Sequence, residues 1–402
     1  MYIDVINTDW SGFMIKTSKK SLVLILCLIA LMFIVSVHAY AEDSGINRNV
    51  SLNYDGASVI VDFFTIRLTE GSNEIMVSGL PETIDLASVE VITQNSGVRV
   101  MGKYLESSDE IILHCFIESD SRKDATFRLT YSMTGIEWSI NYTAIISETG
   151  NNVDFVGSLV IHNGTSADLT SSKVNIMSKD PDFPSAVVNH PIAALLGMKS
   201  YQISQEVDLG PYSSAVIELC RMTALSSKVQ YYVNHYVDPV FDSEIGTKVT
   251  LPVHMSLALI VTNATDVLLD SNLPGGNLKV YATGRLGEIY LISEGTMKNV
   301  TTNLRNLSID LGVVPDLYLD ILCTDKRKIG TSSWEEAYQL IFTNKLGIDV
   351  EVELVKYFRN NWSILQNTAG SWTKTDDGNA KLVVNVKKNT TQDVLFRIRY
   401  TE

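Results

Sequence analysis

The residues that carry out catalysis in common hydrolases and nucleotide-dependent enzymes do not occur here in their usual spacings. The 402-residue sequence contains no G-x-S-x-G, H-E-x-x-H, G-x-x-x-x-G-K-[ST] or G-x-G-x-x-G motif. Each of these motifs holds a nucleophile, a zinc ion or a phosphate against the groups that activate it. The sequence therefore predicts no catalytic residue, no metal ligand and no cofactor, and it favours a protein that is not an enzyme.

Scattered titratable residues offer weaker candidates for chemistry. A metal site between His235 and His254 would need their two strands to be neighbours. Two carboxylates across a cleft could act as general acid and base, and Asp-rich turns could bind calcium through oxygen ligands. The candidates for acid–base work are Glu335, Glu336, Asp376 and Asp377, and the candidate calcium loops are Asp180–Asp182 and Asp376–Asn379. None completes a ligand series, and their polar surroundings favour solvated loops and plain β-turns.

Aromatic residues suggest a second kind of site, a platform on which sugars stack. Trp334, Trp362 and Trp372 fall in the last 70 residues, and Tyr231, Tyr232 and Tyr236 share one segment. In a β-sandwich, core positions account for most such residues. We therefore favour core roles for them, and most firmly for Trp138.

Glycosylation motifs are more frequent than composition requires. Asn-x-Ser/Thr occurs eight times, against roughly four expected by chance. Asn141 lies inside a predicted strand and is the poorest acceptor. The remaining candidates are Asn49, Asn163, Asn263, Asn299, Asn306, Asn361 and Asn389.

The N-terminus has the order of a secretory signal. Three lysines precede an apolar run at Leu22–Val37, small residues follow at Ala39 and Ala41, and no charged residue follows the run until Glu42. Counted from Ser21 the run has 17 residues, which reaches the lower limit for a membrane span, about 17–25 residues. A cleaved signal peptide and a signal-anchor formed by residues 21–40 both stay open. Either one places residues 42–402 outside the cell.

The start codon is also open between Met1 and Met14. A chain begun at Met14 would carry Met14–Ala41, 28 residues, as a conventional signal peptide. Residues 1–13 add nothing recognisable to targeting. We therefore expect translation to begin at Met14.

The cysteines exclude a disulfide scaffold. Cys27 lies in the apolar run, which leaves Cys115, Cys220 and Cys323 in the exported part. An odd number, widely spaced and without C-x-x-C pairs, fits neither a disulfide framework nor a cysteine zinc site. We predict buried free thiols, with one disulfide plus one free thiol as the alternative.

Hydrophobic alternation with period two dominates the chain after residue 42. In Ser58–Leu68, Ile60, Phe64, Ile66 and Leu68 share one face, as expected of half-buried antiparallel strands. Leu382, Val384 and Val386, and likewise Val394, Phe396, Ile398 and Tyr400, repeat the pattern near the end. Only Ser185–Met198 resembles a helix. The sequence predicts an all-β fold of antiparallel immunoglobulin-like sandwiches.

A weak repeat sets the expected domain boundaries. Three apolar strands each end in an Asn followed by a polar turn, at Asn163, Asn263 and Asn344. This pattern resembles the opening strands of immunoglobulin-like modules on prokaryotic cell surfaces. We expect a signal or anchor over 1–41, an N-terminal β-domain over 42–128, sandwich regions over 129–225 and 226–330, and a C-terminal immunoglobulin-like domain over 331–402.

The order of further segments resembles one protein family. Gly71–Val89 (GSNEIMVSGLPETIDLASV) is similar to the opening of mucoidy-inhibitor-A-like proteins, matching at Asn73, Ile75, Gly79, Leu80, Pro81, Ile84, Asp85, Ser88 and Val89. The segment from Leu129 is similar to the domain of unknown function 4139 that completes them, matching at Tyr131, Gly135, Trp138 and Tyr142. The resemblance covers most of residues 52–402 and implies an all-β fold, envelope association and no established chemistry. The family's long coiled coil has no room between Val89 and Leu129.

The net charge of the chain limits the classes of partner that it can bind. Lys and Arg total 32 against 46 Asp and Glu, a net charge of −14, which argues against nucleic acid. Membrane contact is expected only through an uncleaved N-terminal segment. We expect an exported, non-catalytic module at the cell surface that binds envelope polymer or protein partners. An envelope hydrolase with an unrecognised carboxylate site is the alternative.

Overall fold

The chain folds almost entirely into β-strands. The computed structural model describes residues 2–7, 39–40, 46–53, 55–107, 110–180, 183, 197–233, 244–260, 273–300, 308–356, 361–375 and 379–401. The helix in this part of the chain is one 3₁₀ turn, Leu86–Ser88, which Asp85 caps by accepting a hydrogen bond from the Ala87 amide. No helix of a membrane-spanning length and apolarity occurs in these ranges. The all-β prediction is confirmed.

The strands follow one another in the chain as β1 Tyr2–Asn7, β2 Ala39–Tyr40, β3 Asn47–Asn53, β4 Ser58–Leu68, β5 Gly71–Leu80, β6 Glu90–Thr93, β7 Val98–Ser107, β8 Ile111–Ser119, β9 Lys123–Met133, β10 Ile136–Ile146, β11 Asn152–Asn163, β12 Leu169–Ser178, β13 Lys199–Leu209, β14 Ser214–Val233, β15 Lys248–Ile260, β16 Gly276–Thr283, β17 Ile289–Met297, β18 Ser308–Lys328, β19 Ser333–Asn344, β20 Val350–Lys356, β21 Trp362–Asn367, β22 Ser371–Lys374, β23 Ala380–Val386 and β24 Thr390–Thr401.

Three sheets hold these strands. The first has the order β2-β1-β5-β8-β7, and the second has the order β13-β12-β3-β4-β9-β6. The third runs β17-β16-β10-β11-β14-β15-β18-β19-β24-β21, with β20, β23 and β22 branching from β14. Among the described strands, the pairs β3–β12, β10–β16 and β14–β20 are parallel and the others are antiparallel.

Side chains from all three sheets form the first hydrophobic core, which extends from Val50 to Ile309. In β4 every second residue is buried, including Ile60, Phe64 and Leu68. This confirms the predicted alternation, because a strand buried on one face hides alternate side chains. Asp62 lies on the same buried face.

The second core belongs to the C-terminal strands. Inward residues of β18, β19 and β24 pack against those of β20 and β23. The predicted inward positions of β23, and Val394, Phe396 and Ile398 of β24, are buried. The predicted alternation near the C-terminus is therefore confirmed.

Two of the three predicted Asn corners lie in the described chain, and they have the same construction. Asn163 accepts a hydrogen bond from the Thr165 amide and donates to the carbonyl of Ala167. Asn344 accepts from the Leu346 amide and donates to the carbonyl of Ile348. Each Asn thus satisfies the backbone of its own turn at positions i+2 and i+4, as Asx turns do.

The similarity extends to a second turn in each unit. Asn163 also donates to the Gly210 carbonyl, and Asn344 donates to the carbonyls of Val386 and Lys387. Two residues with positive φ then follow, Tyr212 (φ 49°) and Asn389 (φ 54°). Their amides donate to the carbonyls of Thr165 and Leu346, the residues two beyond each corner Asn. The same supersecondary unit therefore occurs twice, as β11–β14 and as β19–β24.

Other predictions from the sequence fall outside the described residues. Residues 8–38, which contain the predicted signal segment and Met14, are among them. So are Asn263 and residues 185–196 of the predicted helix. Gly197 and Met198, at the end of that predicted helix, are not helical.

Candidate functional site

A two-stranded hairpin, β16–β17, forms one end of the thirteen-stranded sheet. In sequence it lies between β15 and β18, which pair directly with each other. In the sheet it lies beyond β14, β11 and β10, so the chain leaves the middle of the sheet to add these strands at its edge. Parallel pairing of β16 with β10 attaches the hairpin, from Asn141 opposite Asn277 to Ile146 opposite Ala282.

Close packing fixes the base of the hairpin. A Cβ atom on Gly276 would lie 2.4 Å from the carbonyl oxygen of Ile140, so the approach of β16 to β10 requires glycine. Tyr142 donates a hydrogen bond of 2.5 Å to the Pro274 carbonyl, and Asn299 accepts one of 2.6 Å from the Gly275 amide. The hairpin is therefore a fixed part of the sheet.

The outer strand of this hairpin exposes four consecutive apolar side chains. The exposed fractions are 57% for Ile289, 54% for Tyr290, 49% for Leu291 and 43% for Ile292. Neighbouring residues of a strand point to opposite faces, so this run is open on both faces of the sheet. No other strand of the described chain pairs with the outer side of β17. Exposed apolar edge strands are sites of pairing with other chains.

Hydrogen bonds to one carboxylate order the tip of the hairpin. Glu288 accepts 2.8 Å and 2.9 Å hydrogen bonds from the Leu286 amide and the Tyr290 hydroxyl. Its own backbone amide and then the Tyr290 hydroxyl lower the pKa of Glu288. Gly287 takes the positive φ of 85° that this turn needs. The ordered turn leaves the Leu286 side chain 94% exposed, next to the apolar run.

A cleft of about 500 Å³ lies beside β17, between Ser293–Val300 and the first residues of β18. Leu278 and Val280 supply apolar lining, and Glu294 and Asp310 supply acidic lining. Among the described residues no three His, Cys, Asp or Glu side chains are grouped so that they could hold a metal ion. The cleft extends the surface beside the exposed strand.

The predicted carboxylate candidates have structural partners or lie outside the described chain. Glu335 and Glu336 were expected in a solvated loop, which is wrong, because both are buried within β19. Arg327 and Arg399 bind Glu335, while the hydroxyls of Tyr338 and Tyr400 and the Lys326 ammonium bind Glu336. Asp180 accepts a hydrogen bond from Asn299. Asp182, Asp376 and Asp377 lie outside the described residues.

Of the two histidine candidates, His254 lies in the described chain. His254 stacks on Tyr232 with ring centroids 5.6 Å apart, and His235 lies outside the described residues. His114, which the sequence did not single out, is buried between Glu74, 2.8 Å from Nδ1, and Glu106, 3.4 Å from Nε2. Tyr104 stacks on its ring at 4.3 Å.

The tryptophans do not form an open platform. Trp362 and Trp372 are half-buried and pack against the second core, and Trp372 contacts Phe396 with centroids 4.8 Å apart. Trp334 is half-buried under the Lys328 ammonium. Tyr231 also packs on this core, and Tyr236 lies outside the described residues. Trp362 and Trp372 therefore serve packing.

The Asn-x-Ser/Thr positions differ in access. Asn163 is wholly buried and its Nδ2 donates two hydrogen bonds, so the fold has no room for a glycan there, which corrects that candidate. The Nδ2 of Asn299 donates to Asp180. Asn49 is half-buried, whereas Asn361 and Asn389 are exposed; Asn263 and Asn306 lie outside the described residues.

No known protein-family model matches the sequence, and no curated protein matches it at a significant level. The resemblance to mucoidy-inhibitor-A-like proteins stays a prediction that rests on the quoted residues alone.

Sequence reasoning missed the exposed strand β17. The segment Gly287–Gly295 (GEIYLISEG) carries an unbroken apolar run between two glutamates, and a run without alternation is typical of a fully buried strand. Its shortness and acidic flanks were the available signal that it lies at an edge. Only the tertiary structure shows that β17 is an edge strand and that both of its faces are exposed at Ile289–Ile292.

Proposed function

We propose that this protein is an exported, non-catalytic interaction module of the cell envelope that binds protein partners through the free edge of β17. The observation that carries the proposal is the exposure of Ile289–Ile292 on both faces of an outermost strand. A partner strand added there would hydrogen-bond to the free backbone and cover these side chains.

The fold supports a role as a scaffold. We propose that the repeated Asn-corner units are immunoglobulin-like sandwiches, since each joins two layers of strands around one core. The apolar segment at Leu22–Val37 supports export, and the exposed Asn361 and Asn389 are the best-placed glycan acceptors. Ordered strands around rigid cores suit a protein that presents a fixed binding edge.

Site-specific photo-crosslinking in the native host tests the binding edge. A benzophenone amino acid replaces Leu291 of the full chain, and the control carries it at Val216, which is 70% exposed on β14. We expect a discrete protein adduct from position 291 and none from position 216. Equal adducts from both positions, or none from either, would contradict the proposal.

A further inference from the structure

The charges around β17 indicate which kind of partner it binds. Resting on the function proposed above, we infer that the partner is an extended protein segment whose apolar residues are flanked by lysine or arginine, and that it is not a second copy of this chain. The inference depends on the free edge, on Glu288 and on the distribution of charge along the chain.

Backbone pairing is available mainly in the first half of β17. A β-bulge interrupts its pairing with β16 between Leu291 and Ser293. Bulges twist an edge strand and limit regular pairing beyond them. A partner strand therefore pairs best along Ile289–Leu291. The charge beside this segment that lacks an ion-pair partner is Glu288 at the turn, because Arg285 of the same turn pairs with Glu148 at 3.2 Å.

Glu288 lacks a cationic partner within the described chain. Its carboxylate accepts hydrogen bonds from the Leu286 amide and the Tyr290 hydroxyl, both of which are neutral donors. Since these bonds leave the negative charge uncompensated, a lysine or arginine on an incoming strand would complete the site. Glu294, after the bulge, already pairs with Lys279 at 3.3 Å.

Most of the chain carries a net negative charge, as Glu288 does. Residues 42–318 contain 17 basic and 33 acidic residues, a balance of −16, whereas residues 319–402 contain 12 basic and 11 acidic residues. The hairpin belongs to the acidic part. The electrostatic field of this acidic part favours the approach of a basic segment and opposes the approach of a second copy, which is equally acidic.

The registers in which β17 could pair with β17 of a second copy are also unfavourable. Two antiparallel copies of β17 in one continuous sheet must place one residue opposite its own equivalent. A register centred on Leu291 places Glu288 opposite Glu294 twice, and like charges in opposite positions are destabilising. A register centred on Tyr290 places Glu288 against Ile292 and leaves a short ladder, because β17 begins at Ile289.

Peptides of one design test the inference. Three fluorescent peptides share a core of alternating valine and threonine and are flanked by lysine, serine or glutamate. Their affinities for the full chain are measured by anisotropy. We expect the lysine-flanked peptide to bind about two- to fivefold more tightly than the serine-flanked one, as one cross-strand ion pair allows. The preference should shrink in Glu288→Gln, which removes the charge nearest the pairing segment, and in 1 M salt, where the Debye length is about 3 Å.

Matched variants separate the two proposals. Leu291→Lys should abolish binding of every peptide, while Val216→Lys should bind like the wild type; equal melting temperatures verify that both variants fold. Three peptides of equal affinity, all lost in Leu291→Lys, would overturn the basic-partner inference and leave the binding edge standing. A dimer in sedimentation equilibrium that Leu291→Lys dissociates would also overturn it, in favour of a second copy. No binding by any peptide, together with no crosslink at position 291, would contradict both proposals.

Discussion

A buried ion pair joins three strands in the first core. Arg48 of β3 binds Asp62 of β4 through two hydrogen bonds of 2.6 Å and 3.0 Å, and it also donates to the Asp168 carbonyl just before β12. Asp62 is 0% exposed and Arg48 is 6% exposed. Burial, and then the Asp62 carboxylate, raise the pKa of the neighbouring Tyr131. A charge desolvated this far depends on its partner.

Removing one partner of this pair should be costly. We expect Asp62→Ala to lower the free energy of unfolding by about 3–5 kcal/mol, because Arg48 would stay buried without its counter-charge. Urea denaturation measures the change. The control is Asp124→Ala on β9, which removes an exposed ion pair of 4.0 Å with Arg67 on the neighbouring strand β4. This substitution should lower the free energy of unfolding by about 1 kcal/mol or less. Similar losses in both variants would contradict the assigned role of burial.

A second charge cluster covers the outer face of the C-terminal strands. Arg327 and Arg399 each donate two hydrogen bonds to Glu335, whose side chain is 3% exposed. These hydrogen bonds lower the pKa of Glu335 from its ordinary value of 4.5. The cluster thereby joins β18, β19 and β24 on the face opposite the core.

The lowered pKa predicts a pH dependence of stability. A carboxyl whose pKa is lower in the folded chain stabilises it above the unfolded pKa, and that effect is lost as pH falls through the folded pKa. We therefore expect the melting temperature of Glu335→Gln to lie below that of the wild type at neutral pH. The gap should shrink progressively below pH 4.5. Calorimetry from pH 7 to pH 3 measures it, with the exposed Glu137→Gln as control; a gap independent of pH would contradict the prediction.

At the scale of elements, the Asn corner is the unit that repeats. Its amide provides both a donor and an acceptor to a turn that leaves a strand, and it also contacts a distant turn that leads back to the sheet. Because the side chain is buried, loss of the amide leaves several backbone groups unsatisfied. Position and chemistry together explain why the two units share this residue.

Because the two Asn corners have the same hydrogen bonds, losing either Asn should lower the stability of the protein by a similar amount. We expect Asn163→Ala and Asn344→Ala each to lower the free energy of unfolding by about 2–4 kcal/mol, since more than one buried backbone group loses its partner. The control is Asn385→Ala on β23, whose side chain is exposed, and it should change stability by about 0.5 kcal/mol or less. Urea denaturation compares all three. A loss at only one corner would contradict their equivalence.

At the scale of the whole molecule, the three thiols of the described chain are core residues. Cys115, Cys220 and Cys323 are free and buried, which confirms the favoured prediction. Burial raises the pKa of Cys115 to about 12 and that of Cys220 to about 11. Each therefore stays protonated and unreactive in the folded chain.

Counting the reactive thiols tests the buried placement of the cysteines. It also shows whether the N-terminal segment that contains Cys27 has been removed. We expect Ellman's reagent to label almost no thiol in the native protein isolated from its host. In guanidinium it should label three thiols if the signal is removed and four if Cys27 stays in the chain. Fast labelling of the native protein would contradict the buried placement.

The sequence by itself determined the all-β fold and the buried faces of β4, β23 and β24, because alternation of apolar residues is a local property of a strand. It also located the Asn corners and the free cysteines. Local polarity misplaced Glu335 and Glu336, since their arginine, tyrosine and lysine partners come mainly from other strands.

Only the tertiary structure decided which strand is left uncovered. The residues of β17 would suit a buried strand equally well, and their exposure depends on the distant pairing of β16 with β10. The same holds for the buried Asp62, whose partner Arg48 lies on a neighbouring strand. Sheet order is set by contacts between residues far apart in the chain. These contacts determine which buried charges are paired and which strand has a free edge.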